Sequence, residues 1–405
     1  MSNQTACRGD YRARRFEDKL DAQAVFSPIN TRAKRIRFAN AGGSYFPTER
    51  AAIDAIGVRQ QTALMTALLL AKLLGSDKEA PFVHLWHLPA TTDRLFGFRI
   101  DTDFASDQEI NDLYQLCRKY DIPATWFVEV KSRKNNLGIF KNMEGQEIAY
   151  HCFRHKLLHS RSDMSRDMLE GLRYMKLAGL KPRGYAAPYG EWRPFLSELL
   201  RDYGFEYSSE FGLAYDAMPF YPPGEDIQSL PPQIPIHPIS VNRLKHAHHS
   251  PSQMTAYYLN VLYHNGRRNI PTFLYHHPGQ GHLQVWEAIF RNVREKNIPV
   301  MSMGDYATWW KRRSELMWSA EWIDGKLKLH SNEPADDIRV CAHWPEGRTE
   351  LHSFNPEITP VAIDYKFRIK MAGKELHPEK DPELNRYTMR MLRHDLFWHY
   401  GRLKQ

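Results

Sequence analysis

The chain is 405 residues long, enough for roughly two or three domains and a sizeable buried core. Hydrophobic residues make up 42%, charged residues 25% and aromatics 12%, an ordinary globular balance that excludes wholesale disorder, collagen and coiled coil. Basic residues number 55 against 47 acidic ones, a net charge of +8 that favours anionic partners, and 19 histidines stand outside that count as candidate metal ligands and proton carriers.

Residues 1–80 read as a basic N-terminal extension, with Arg12, Arg14, Arg15, Arg32, Arg35 and Arg37 scattered among turn formers. The opening MSNQTACRGDYRARRFEDKL has no apolar run of the kind a secretory signal needs, which predicts a cytoplasmic protein. From Thr48, a plausible N-cap, apolar positions recur at helical spacing to Leu74, where Gly75 stops the run. Its all-round apolar end predicts a helix buried in a core. The run ALMTALLLAKLLG is shorter than the about 20 apolar residues a membrane span needs, and it carries Lys72.

Residues 81–312 alternate short apolar runs with longer helical patterns. PFVHLWHL, LFGFRID, ATWFVEV, EIAYHCF, RGYAAP, YSSEF, TFLYHH and IPVMSM are strand-like, and residues 106–120, 163–178, 193–203, 250–264 and 281–296 between them have helical spacing. This alternation predicts a parallel sheet or barrel, with its chemistry at the C-terminal ends of the strands. After Trp310 the pattern changes: WSAEWIDGKLKLHS is an alternating hairpin turning at Asp324-Gly325, followed by IRVCAHW, RTELHSF and VAIDYKFRIKMA. Residues 313–372 are therefore expected to form a small antiparallel β module, and residues 373–405 a C-terminal helix bearing Arg386, Arg390 and Arg393. Cys7, Cys117, Cys152 and Cys341 lie far apart without zinc-finger spacing and read as reduced, mostly buried thiols.

Three features carry chemistry. Asp101 and Asp103 sit two apart at the end of an apolar strand, where period-two geometry puts both carboxylates on one face and calls for a cation or proton between them. His151 and His155 follow the run EIAY at a spacing that a helical turn would bring to one side, with His159 continuing the register. Two such histidines and a carboxylate from elsewhere make up the three protein ligands of a catalytic divalent metal. His276 and His277 end TFLYHH, the strand expected to close the sheet.

The residues FRIDTDFASDQEINDLYQLCRKYDIPATWFVEV, GQEIAYHCFRH, GYAAPYGEW and FLYHH, in that order, resemble the polysaccharide deacetylase superfamily (NodB-homology, carbohydrate esterase family 4). The match spans residues 95–310 and is similar to the Asp-x-Asp branch that includes the deformylases of 4-deoxy-4-formamido-arabinose-phosphoundecaprenol; AMPF and PQIP, around Asp216 and Pro232, add to that likeness. The resemblance implies an α/β fold, a distorted (β/α) barrel with an N-terminal helical extension and a small C-terminal antiparallel β module. Residues 1–80, 81–312, 313–372 and 373–405 would be extension, catalytic domain, β module and terminal helix.

It also implies roles. Asp103, His151 and His155 would hold a divalent metal, with zinc expected, and Asp101 would be the base that deprotonates the attacking water. His276 would protonate the leaving amine, with His277 in reserve as His159 is for the ligands. The backbone N–H of Tyr189 would complete the oxyanion site. Ala186 stands where the third motif has an arginine that orients the base, so Arg183 or Arg193 would substitute, Arg193 being favoured because it follows the motif directly. The Asp-x-Asp spacing leaves open which carboxylate is base and which is ligand.

The expected activity is metal-dependent hydrolysis of an N-acetyl or N-formyl group on an amino sugar in cell-surface glycan or lipid-linked sugar biosynthesis. A lipid-phosphate carrier would suit the basic balance, and peripheral contact with the inner face of the membrane would follow. Two alternatives stand beside it: deacetylation of a finished extracellular polysaccharide, and a non-catalytic carbohydrate-binding protein using Trp318, Trp322 and Trp344 as sugar platforms. Nucleic acid is not an expected partner, because the basic residues form no single face.

Overall fold

The structure, a computed structural model, describes residues 81–358 apart from 212–214, 223–229, 247, 268, 324–325, 345–348 and 355–356. The expected helices of residues 48–74 and 373–405, the run VAIDYKFRIKMA and the Asp324-Gly325 turn lie outside the described residues. Within them are two compact units, residues 93–308 and residues 81–92 with 309–358.

The chain opens on β1 (Phe82–Leu85) and then enters the larger unit. There β2 (Phe96–Asp101), β3 (Thr125–Glu129), β4 (Glu147–Cys152), β5 (Gly184–Tyr185), β6 (Tyr207–Ser208) and β7 (Thr272–His276) form one sheet in the spatial order β6-β5-β4-β3-β2-β7. Every neighbouring pair is parallel. Helices α1 (Asp107–Lys119), α2 (Gly138–Lys141), α3 (Arg161–Leu177), α4 (Pro194–Asp202), α5 (Val241–His246), α6 (Pro251–Arg267), α7 (Leu283–Glu295) and α8 (Met303–Glu315) follow the strands. This is the distorted (β/α) barrel, and its parallel strands bring their C-terminal ends to one rim.

Local sequence explains the elements. Every residue of β2 and β3 is buried, as expected for strands covered on both faces. Ser106 starts α1 with a reciprocal capping box to Glu109, Asp107 lies in the first turn, and Arg118 and Lys119 close the last. Phe98 on one face of β2 packs against Trp286 and Phe290 of α7, which leaves Arg99 and Asp101 on the face turned into the barrel. Gly171 of α3 is required by contact, since a Cβ there would lie 2.3 Å from the Tyr150 hydroxyl. The strand-like run IPVMSM pairs only at Val300, against Phe96, before Ser302 starts the next helix with its hydroxyl on the Asp305 N–H.

The second unit corrects the expected module boundary. The run PFVHLWHL, expected among the barrel strands, instead supplies β1, which pairs antiparallel with β10 (Arg339–His343), itself paired with β11 (Thr349–Ser353). A separate hairpin of β8 (Trp318–Ile323) and β9 (Lys326–Ser331), joined by β12 (Glu357–Ile358), makes a second three-stranded antiparallel sheet. Val83, Leu85, Leu327, Leu329, Val340 and Ala342 belong to one hydrophobic core, against which Trp318 packs. Trp344 is buried as well. Neither tryptophan is laid open as a sugar platform, and the side chain of Trp322 lies outside the described residues.

No helix among the described residues is long and apolar enough to cross a membrane.

Candidate active site and metal centre

Four strand ends supply the site. At the end of β2, Thr102 pins the Asp-Thr-Asp turn: its N–H donates to the Phe127 carbonyl at 3.0 Å and its hydroxyl accepts from the Glu129 N–H at 3.0 Å. Asp101 and Asp103 therefore project together to the opposite side. His151 is the fifth residue of β4, and its Nδ1 donates to the Ala186 carbonyl at 2.6 Å. That bond puts the proton on Nδ1 and turns the Nε2 lone pair to Asp103 Oδ1, 3.1 Å away. His155 Nε2 lies 3.0 Å from Asp103 Oδ2. The residues between the histidines are strand end and bends rather than the helical turn expected from their spacing.

Asp103 Oδ1, His151 Nε2 and His155 Nε2 are buried without a well-formed hydrogen bond, and the three residues' ligand atoms lie within 4.8 Å of one another. Lone pairs aimed at a carboxylate repel unless a positive charge joins them. Burial alone would lower the His151 pKa, but the charge of the adjacent Asp103 carboxylate outweighs it and raises the pKa, so the cluster attracts positive charge. Burial likewise opposes ionisation of Asp103, yet His151, His155 and His277 hold its pKa well below the usual carboxylate range. A two-imidazole, one-carboxylate set with this charge demand fits a divalent metal with open positions.

Asp101 is held differently. Arg99, two residues upstream on the same face of β2, donates Nε to Oδ1 at 2.7 Å and Nη2 to Oδ2 at 2.8 Å. Its Nη1 reaches the Ser209 carbonyl at 2.7 Å. Burial would raise the Asp101 pKa; the charges of Arg99, His151 and His277 overcome it and lower the pKa. Arg99 thus occupies the position expected of Arg193, which is buried just ahead of α4. Arg183 is half-exposed beside Glu147, Glu206 and Asp305. The signal for Arg99 was present in the sequence, because period two puts it on the Asp101 face.

The histidine pair reverses the expected order. His276 is in register with Ile100, so its side chain leaves by the other face of the sheet, where its ring is fully buried and lies 5.1 Å from that of Trp286. Burial and the neighbouring His277 and His282 push its pKa well below the ordinary value. His277 is the one turned into the site, with Nε2 3.2 Å from Asp103 Oδ2 and 3.9 Å from Asp101 Oδ2. His159 is exposed and stands outside the ligand cluster.

Tyr189 lies in the loop after β5 with a left-handed backbone, φ 62°, in a short turn that puts its ring edge-on to His155 at 4.7 Å. Phe104 also has positive φ, 51°, and packs on His155 at 5.6 Å while remaining 68% exposed. Non-glycine residues in this region store roughly 1–2 kcal/mol each, and such strain gathers at functional sites. Behind the loop, Glu210 accepts the Ala187 N–H at 3.1 Å while its other oxygen is buried without a partner. Burial raises its pKa to about 7.

Residues 101–208 match the family model described as polysaccharide deacetylase. The chain carries a polysaccharide deacetylase domain. A peptidoglycan deacetylase from Helicobacter pylori is 29% identical over 126 residues, covering 29% of this chain and 42% of that protein, so the chain spans less than half the length of this curated relative. Among solved structures, a candidate polysaccharide deacetylase from Mycobacterium smegmatis aligns with TM-score 0.46 at 19% identity over 58% of this chain and 95% of its own. One from Pseudomonas aeruginosa PAO1 aligns with TM-score 0.44 at 17% identity over 54% and 91%. The family generally uses a divalent metal.

Proposed function

We propose that the polysaccharide deacetylase domain is a metal-dependent hydrolase that removes an N-acyl group, acetyl or formyl, from an amino sugar of a cell-surface glycan or its lipid-linked precursor. One observation carries this: three buried ligand atoms converge beside a second carboxylate that is held apart from them by its own arginine. Likeness to a peptidoglycan deacetylase supports the amino-sugar class.

Asp103, His151 and His155 would hold the ion, with zinc suited to two imidazoles and a carboxylate. When bound, the ion supplies Lewis acidity toward the acyl oxygen and lowers the pKa of water. Asp101 takes a proton from the attacking water, and Arg99 keeps it anionic and fixed for that task. His277 gives a proton to the departing amine, which cannot leave as an anion. The main-chain N–H of Tyr189 donates to the developing oxyanion, and the exposed Phe104 ring offers a face to the sugar.

The test is an assay of formate and acetate release from free, lipid-phosphate-linked and polymeric N-acyl sugars, with and without chelator. Chelator-sensitive release from any of them supports the reading, and the arm that turns over identifies the substrate class. Release from none of them after reloading with zinc, cobalt or manganese would end it.

A further inference from the structure

A second convergence of ligand-type side chains lies in the antiparallel unit. β1 and β10 pair with His84 directly opposite Cys341, and His343 stands two residues along β10 on the same face. Alternation sends Val83, Leu85, Val340 and Ala342 into the hydrophobic core and groups the other three on the opposite face. His84 Nε2 lies 3.0 Å from His343 Nε2, across 259 residues of sequence, and Cys341 Sγ lies 3.5 Å from the same His343 nitrogen. The ligand atoms of all three residues fall within 4.8 Å of one another.

The proton positions favour an ion. His84 Nδ1 lies 3.0 Å from the Leu85 carbonyl, which can only accept, so the proton is on Nδ1 and Nε2 presents a lone pair when the ring is neutral. Thr349 Oγ1, on the β11 residue paired with His343, holds His343 Nδ1 at 3.0 Å. That is the outer support that orients a metal-binding imidazole. Tetrahedral zinc with Zn–N about 2.0–2.1 Å and Zn–S about 2.3 Å separates two nitrogens by about 3.3 Å and a nitrogen from a sulfur by about 3.5 Å. The nitrogen–nitrogen spacing of 3.0 Å needs only a few tenths of an ångström of opening, and the nitrogen–sulfur spacing of 3.5 Å already matches.

We propose that His84, Cys341 and His343 form a second metal site, of the borderline-to-soft class to which zinc(II) belongs, which staples β1 to β10 and keeps one position for water. The thiolate distinguishes it from the Asp103, His151 and His155 set, which holds no sulfur. The two sites are independent, and either can exist without the other.

The thiolate makes the site testable without any enzymatic assay. Full-length protein stripped with chelator is titrated with cobalt(II), then with zinc(II). The expected result is a thiolate-to-cobalt charge-transfer band in the near ultraviolet that zinc displaces, that Cys341→Ser abolishes and that Asp103→Asn leaves in place. His84→Gln, a second variant on the other strand, should weaken cobalt binding at this site at least tenfold while preserving the far-ultraviolet circular dichroism spectrum. A wild-type chain with no such band, or a band that survives both Cys341→Ser and His84→Gln, overturns the proposal and leaves the three side chains a hydrogen-bonded cluster.

Discussion

Arg99 grips both carboxylate oxygens of Asp101, at 2.7 and 2.8 Å, from two residues upstream on the same strand. Both side chains are almost completely buried. A buried ion pair adds little net stability over apolar packing, but removing one partner strands the other and costs about 3–5 kcal/mol. What the pair gives the site is a carboxylate, the proposed base, that stays ionised where burial alone would raise its pKa. Arg99→Met should therefore lower thermal stability and move the acid limb of the pH–rate profile upward, because the Asp101 pKa then follows its burial. Arg99→Lys should restore part of that shift. The pH dependence of kcat/KM checks both, and an acid limb unmoved in Arg99→Met would separate Arg99 from the base.

His277 and His276 should behave oppositely. His277→Ala is expected to lose about 10²–10⁴-fold in kcat on N-acyl sugars, and much less on an activated ester whose leaving group needs no proton. His276→Leu, which replaces a buried imidazole beside Trp286 with an apolar side chain, should keep most of the turnover. Measuring both variants on both substrates decides the assignment.

Much of this candidate site is legible in the sequence, and what is not depends on strand geometry. Asp101 and Asp103 lie at the C-terminal end of β2 and His151 and His155 at that of β4, and because the strands of this sheet are parallel those ends share one rim. Motif alignment favours His276, whereas strand alternation puts Tyr275 and His277 on the Arg99 and Asp101 face. The resemblance directs attention to an arginine near Ala186, whereas Asp101 takes its two guanidinium hydrogen bonds from Arg99 on its own strand. The pairing of β1 with β10 has no local signature, since a strand records which of its faces is buried but not which distant strand lies beside it.

Glu210 makes stability pH-dependent in a definite direction. Its pKa is raised from 4.5 to about 7 in the fold, so between those values the unfolded chain has released a proton that the native state retains. Stability should fall as pH rises from about 4.5 to 7 and stay level above, by about 3 kcal/mol in all. Glu210→Gln, which keeps an acceptor for the Ala187 N–H, should remove that slope and melt higher than wild type at pH 8. Paired thermal melts at pH 5 and pH 8 check it.

Phe104 is exposed beside His155, a proposed metal ligand, on a strained backbone. If its ring faces the sugar, Phe104→Ala should raise KM severalfold with kcat nearly unchanged, whereas a ring that only shields the metal would show its loss in metal affinity. Steady-state kinetics beside a zinc titration distinguish the two.

The central claim is that Asp103 holds a metal while Asp101 acts as the base, and one paired measurement tests it most directly. Metal content and turnover are determined together for Asp101→Asn and Asp103→Asn on an N-acyl amino sugar, with the Cys341→Ser background removing any thiolate-bound ion. The account predicts that Asp101→Asn retains its metal and loses turnover, while Asp103→Asn loses both. Metal lost from Asp101→Asn and kept by Asp103→Asn would contradict it.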